Sequence, residues 1–221
     1  MSPTIRALQT ELQNLLDYLI KSELAIYVRP IRNKSGVLTW NPFSGTSSLL
    51  LDRRVDCPKH YRYLVEHGHY SAVLHDGSLL QVTYEYIDNL IMKHRLAYVP
   101  PPFEMDRSLL IEEPLLDVFD VYVSGDADNV LLRSPLRFDF DSEAARPRHP
   151  ASHLTLNSSD CRIPCAAPLR LGHFIGFVFQ YFFSDDWIAH DYLRNLSRTS
   201  WGSRTLTEEE RGDLHISWQV V

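Results

Sequence analysis

Residues 137–141, Arg-Phe-Asp-Phe-Asp, and residues 153–157, His-Leu-Thr-Leu-Asn, alternate strictly between polar and apolar side chains. A period of two sends successive side chains to opposite sides of an extended backbone, so both runs read as β-strands with an apolar back. Phe138, Phe140, Leu154 and Leu156 form that back. Arg137, Asp139 and Asp141 share one polar face, and His153, Thr155 and Asn157 share another. Such segments commit the chain to a sheet with one side buried, and the polar side gathers acid, base and imidazole.

The rest of the chain supplies the partners for that sheet. Ile5, Leu8, Leu12, Leu15, Leu16 and Leu19 fall on one stripe of a helix over 3–22, with Pro3 suited to its first turn and Ser2 to its cap. Strands are expected at 25–30, 36–40 and 47–51, separated by Asn-Lys-Ser-Gly and Asn-Pro-Phe-Ser-Gly turns, and a helix at 58–67 closed by Gly68. Asp76-Gly77 joins 70–74 to 78–86 as a hairpin. Residues 88–93 read as a further turn and 94–99 as a strand stopped by Pro100, Pro101 and Pro102. Leu115 to Val123 fits helix and strand equally, and 130–141 and 152–157 resume the sheet. Pro168 opens an apolar helix carrying Phe174 to Phe182, and Ser184 caps another through Leu196. Thr207-Glu-Glu-Glu210 is a capping box, and Leu214, Ile216, Trp218 and Val220 alternate as a terminal strand over 214–221. The expected fold is a single α+β domain over 1–221. In it a mostly antiparallel sheet, about 25–157, carries the N-terminal helix and the helices of about 168–196.

Charge and cysteine usage exclude several function classes. A net charge of -6 argues against a protein whose whole surface is a nucleic-acid sleeve, while leaving room for a local basic patch. Cys57, Cys161 and Cys165 have neither disulfide-framework nor zinc spacing. There is no Gly-rich phosphate loop or dinucleotide fingerprint, so no cofactor is expected. The start Ser2-Pro3-Thr4 lacks a secretory pattern, and the apolar run 174–183 is too short to span a bilayer, which predicts a cytoplasmic chain without membrane contact.

Two arrangements could carry chemistry. Arg137, Asp139, His149 and His153 would set a cation for phosphate beside a carboxylate that orients an imidazole, with Arg95, Arg162 and Asn157 completing the substrate contacts. His153-Leu-Thr155 and His215-Ile-Ser217 place imidazole and hydroxyl side by side on a strand, similar to two-histidine phosphoesterases; His69-Tyr-Ser71 fits the same pattern. In the catalytic reading His153, with His149 or His215 as counterpart and Asp139 orienting, cleaves RNA or another phosphodiester without a metal. In the alternative reading the same strip is a binding surface of a non-catalytic subunit or regulator.

The runs Tyr70-Ser-Ala-Val-Leu-His-Asp-Gly-Ser-Leu-Leu-Gln-Val-Thr-Tyr84, His94-Arg-Leu-Ala-Tyr-Val-Pro100, Arg137-Phe-Asp139, His149-Pro-Ala-Ser-His153-Leu-Thr-Leu-Asn157 and Cys161-Arg-Ile-Pro164 together resemble an uncharacterised bacterial domain-of-unknown-function family, over 70–183. The order of a Gly-Ser strand, an Arg-x-Asp strand and a His-Pro-x-x-His segment is also similar to the TumE-type toxins of toxin-antitoxin pairs. The resemblance implies a role in bacterial conflict or anti-phage defence, beside a larger protein partner and with no settled activity; nucleic acid is a possible partner under the catalytic reading. It leaves the oligomeric state open.

Overall fold

The structure, a computed structural model, describes residues 5–40, 57–125, 130–198 and 203–218. One antiparallel sheet organises it. Its strands are β1 (Ala25–Val28), β2 (Arg32–Lys34), β3 (Val37–Thr39), β4 (Ala72–Leu74), β5 (Leu79–Ile87), β6 (Leu90–Val99), β7 (Leu136–Asp141), β8 (Ser152–Leu156) and β9 (Arg162–Pro164). The order is β1-β4-β5-β6-β7-β8-β9, with the β2–β3 hairpin joined to β5 through β3.

The helices are α1 (Ile5–Lys21), α2 (Cys57–Glu66), α3 (Arg107–Glu112), α4 (Leu115–Gly125), α5 (Leu171–Phe182), α6 (Ser184–Ala189), α7 (Asp191–Arg194) and α8 (Glu208–Gly212). The α1 stripe packs with Phe174, Ile175, Val178 and Phe179 of α5 on Leu80, Val82, Tyr84, Leu96, Tyr98, Phe138, Phe140 and Leu154, the apolar back of the sheet. A second core covers part of the opposite face, where Tyr61 and Leu64 of α2 and Val118 and Phe119 of α4 meet Val73, Leu79, Ala97 and Val99. Toward β7 and β8 that same face turns polar. Ala97 stands opposite Arg137, so the polar strip continues the face on which α2 and α4 sit.

Several boundaries differ from those expected. The turn placed at 88–93 is only Asp88-Asn89, both with positive φ (49° and 66°), and β6 already begins at Leu90. Strand pairing before β7 starts at Leu136 rather than 130, and the 115–123 segment is helix α4. The helix expected from Pro168 begins at Leu171. The one expected from Ser184 to Leu196 is broken at His190 (φ -114°, ψ 93°), whose Nδ1 meets the Tyr18 hydroxyl at 2.8 Å, and Phe183 rather than Ser184 holds its N-cap position. Of the described residues of the C-terminal segment only Ile216 pairs, in a parallel bridge to Cys165, its N–H donating to the Pro164 carbonyl and its carbonyl accepting from Ala166 N. The capping box of Thr207 and Glu210 is formed. Ser2, Pro3, the strand expected at 47–51 and Val220 lie outside the described residues.

Candidate functional site

Cross-strand register assembles the site. Asp139 of β7 is directly opposite Arg95 of β6 on one side and His153 of β8 on the other, and Pro164 of β9 continues the row. The next row runs Ala97, Arg137, Thr155, Arg162. Directly paired residues point to the same side of a sheet, so the two polar faces read from the sequence are a single face.

Asp139 is the hub. Arg95 Nε donates to its Oδ1 at 2.9 Å and Arg137 Nε to its Oδ2 at 2.6 Å. Burial alone would raise the Asp139 pKa, but Arg137, Arg95 and His153 together hold it below the ordinary carboxylate value. His153 is 3 % exposed. Its Nδ1 donates to the Pro150 carbonyl at 2.9 Å, and its Nε2 is 3.7 Å from Asp139 Oδ2. Burial lowers the His153 pKa against the opposing pull of Asp139.

His149 comes from a tight turn. Its backbone exchanges hydrogen bonds with Arg146 (3.1 and 2.8 Å), with Arg148 at φ 64° inside the turn. The ring meets His153 edge to face, centroids 5.2 Å apart. Burial, then Arg162 and Arg146, hold its pKa below the ordinary imidazole value. Arg162 is half-buried. Its guanidinium acts on His149, His153 and Arg137 alike.

Of the expected residues, Arg95, Arg137, Asp139, His149, His153 and Arg162 therefore come together. Asn157 does not join the row: β8 ends at Leu156, Asn157 takes a left-handed conformation (φ 55°), is exposed, and its backbone N–H donates to Ser134 Oγ. His69 serves the α2 side, where its carbonyl accepts from Gln81 Nε2 at 2.6 Å, and Ser71 Oγ accepts from Val82 N. His215 precedes Ile216, which packs with Trp218 on the apolar back; alternation turns His215 to the polar face, and its Nδ1 lies 3.0 Å from the Asp213 carbonyl.

Thr155 carries the hydroxyl that the two-histidine pattern sets beside the His153 imidazole. It is fully buried between Arg137 and Arg162, and its hydroxyl has no hydrogen-bond partner among the described residues. The alternation that picked out His153 also contains it, but nothing in the sequence says that both flanking strands would carry arginine. Among the described residues no three His, Cys, Asp or Glu side chains are arranged to hold a metal ion, and no helix is long and apolar enough to cross a membrane.

Arg95 and Arg137 share the Asp139 carboxylate, and Arg162 stands on the same face two strands from Arg137. A family model described as an uncharacterized conserved protein (DUF2290) matches residues 23–218. No curated protein and no solved structure matches the chain.

Proposed function

We propose that this chain, which belongs to the DUF2290 family of uncharacterized conserved proteins, uses the polar face of β6 to β9 to hold the phosphodiester backbone of a nucleic acid. The observation that carries the reading is the row Arg137, Thr155, Arg162. Two guanidiniums stand two strands apart, about 10 Å between backbones, and between them is a buried hydroxyl with no partner among the described residues. Bidentate arginine contacts are the usual means of gripping phosphate oxygens. Arg146 and Arg148, both exposed on the adjoining turn, extend the positive strip.

Binding is favoured over catalysis because His153 is enclosed, with Nδ1 held by Pro150 and Nε2 turned to Asp139. Asp139 and His153 then position Arg137 and His149 rather than exchange protons with a ligand. The setting implied by the family likeness, a defence protein beside a larger partner, is compatible with a chain that grips a backbone without reading bases. The toxin likeness adds nothing to it.

A second reading, metal-independent phosphodiester cleavage, draws on one observation: His149 and His215 border the same face and are both partly accessible. Release of label from RNA by the wild type, lost in His149→Ala and His215→Ala, would establish cleavage.

Fluorescence anisotropy with labelled oligothymidylate at low salt tests the binding reading. Wild type binds, and Arg162→Glu, which reverses the charge at the rim, weakens binding more than about tenfold. An Arg162→Glu protein that binds as wild type does contradicts it.

A further inference from the structure

We propose that the site takes up its anion together with a proton, which the edge-to-face imidazole pair His149 and His153 carries. The inference rests on the reading of this face as a phosphodiester site and names how that site is regulated.

The hydrogen-bond pattern of His153 sets it up. A backbone carbonyl only accepts, so the contact to Pro150 O at 2.9 Å puts a proton on Nδ1. In the neutral ring Nε2 then carries a lone pair and faces Asp139 Oδ2 at 3.7 Å, acceptor against acceptor. A proton on Nε2 turns this repulsion into a charge-assisted attraction.

What opposes that proton is burial together with the surrounding cations. From β7, Arg137 and Asp139 face His153. Arg95 and His94 approach from β6, and Arg162 from β9. His149 stands above it on the turn, and His215 belongs to the segment beyond β9. His149 is faced by Arg162 of β9, Arg146 of its own turn, Asp141 of β7 and His153 of β8, and its Nδ1 is buried with no partner among the described residues. The cations outnumber the carboxylates, so the empty site resists a further positive charge.

An anion seated between Arg137 and Arg162 lessens that resistance, because its charge offsets the Arg162 guanidinium, which adds to burial in depressing both imidazoles. Linkage is reciprocal: if the anion raises proton affinity, the proton raises anion affinity by the same factor. Affinity therefore rises as pH falls from 8 toward 5.5, by up to about tenfold per pH unit for each proton taken up.

Oligothymidylate is the probe, since neither its backbone nor its bases change charge in that range. Calorimetric titration at pH 6.5 in two buffers of different ionisation enthalpy counts the protons, and the Cε1–H resonances of the two histidines report where they go. The expected result is net proton uptake, tighter binding at lower pH, and movement of at least one of the two resonances toward its imidazolium position on binding. Binding without uptake and without change in either ring overturns the proton coupling and leaves the phosphodiester reading standing. Absence of binding at every pH overturns both.

Discussion

Asp139 and His153 stand directly opposite one another on neighbouring antiparallel strands, 3.7 Å apart at Oδ2 and Nε2, with the imidazole proton committed elsewhere, to Pro150. The carboxylate is instead bound by Arg95 and Arg137, the arrangement of a support for the two cations. Its neighbours Thr155 and Arg162 occupy the next row, and the expected outcomes below test both the support and the fold that presents it.

Asp139→Ala leaves Arg137, almost fully enclosed, and Arg95, about a third exposed, without their shared counter-charge. Removing one partner of a buried ionic cluster costs about 3 kcal/mol. Urea unfolding should show a loss of that order; a change below about 1 kcal/mol would mean the cluster contributes as a surface ion pair does.

Acid sensitivity should come first from His94. Its Nε2 accepts from the Leu169 backbone N–H at 2.9 Å, and burial pushes its pKa down to about 4. The unfolded chain therefore binds a proton between pH 6.5 and about 4 that the folded chain refuses. Stability is full above pH 6.5 and falls by about 3 kcal/mol on descending through that window. Asp139, with its pKa lowered, adds its own loss at lower pH still. Melts of wild type and His94→Gln at pH 4.5 and 7 check this: the variant should lose less stability on acidification, and an identical slope would contradict the assignment.

The β5–β6 turn should tolerate glycine and resist β-branching. Asp88 and Asn89 both hold positive φ, as a two-residue hairpin turn demands. Asn89→Gly should leave the melting temperature level or higher, and Asn89→Val should cost about 1–2 kcal/mol.

Phe174 is fully buried where α5 meets the apolar back of the sheet, its ring edge-on to Phe138. Phe174→Ala should destabilise by about 3–5 kcal/mol in denaturant melts.

Much of this was legible in the sequence. The α1 stripe, the hairpin at Asp76-Gly77 and the alternating strands β7 and β8 depend on local periodicity, and they appear where periodicity puts them. Residues 90–93 were read as turn because the solvent-facing end of a hairpin carries little alternation: Leu90 is exposed and Ile91 to Lys93 are half-buried. The break at His190 coincides with a hydrogen bond to Tyr18, 172 residues away, which no local pattern records. The same holds for the site. Its residue types were evident along each strand, but the register that sets Arg95 and His153 on either side of Asp139, and Thr155 between two arginines, is a property of pairing.

The salt dependence of oligothymidylate binding tests the phosphodiester account most directly, measured for wild type and for Arg162→Ala. Each cation that contacts a phosphate contributes about 0.7 to the slope of log affinity against log salt for a single strand. The account predicts weaker binding by Arg162→Ala, with a slope shallower by about that amount. An unchanged slope and affinity would place the ligand, if there is one, elsewhere on the molecule.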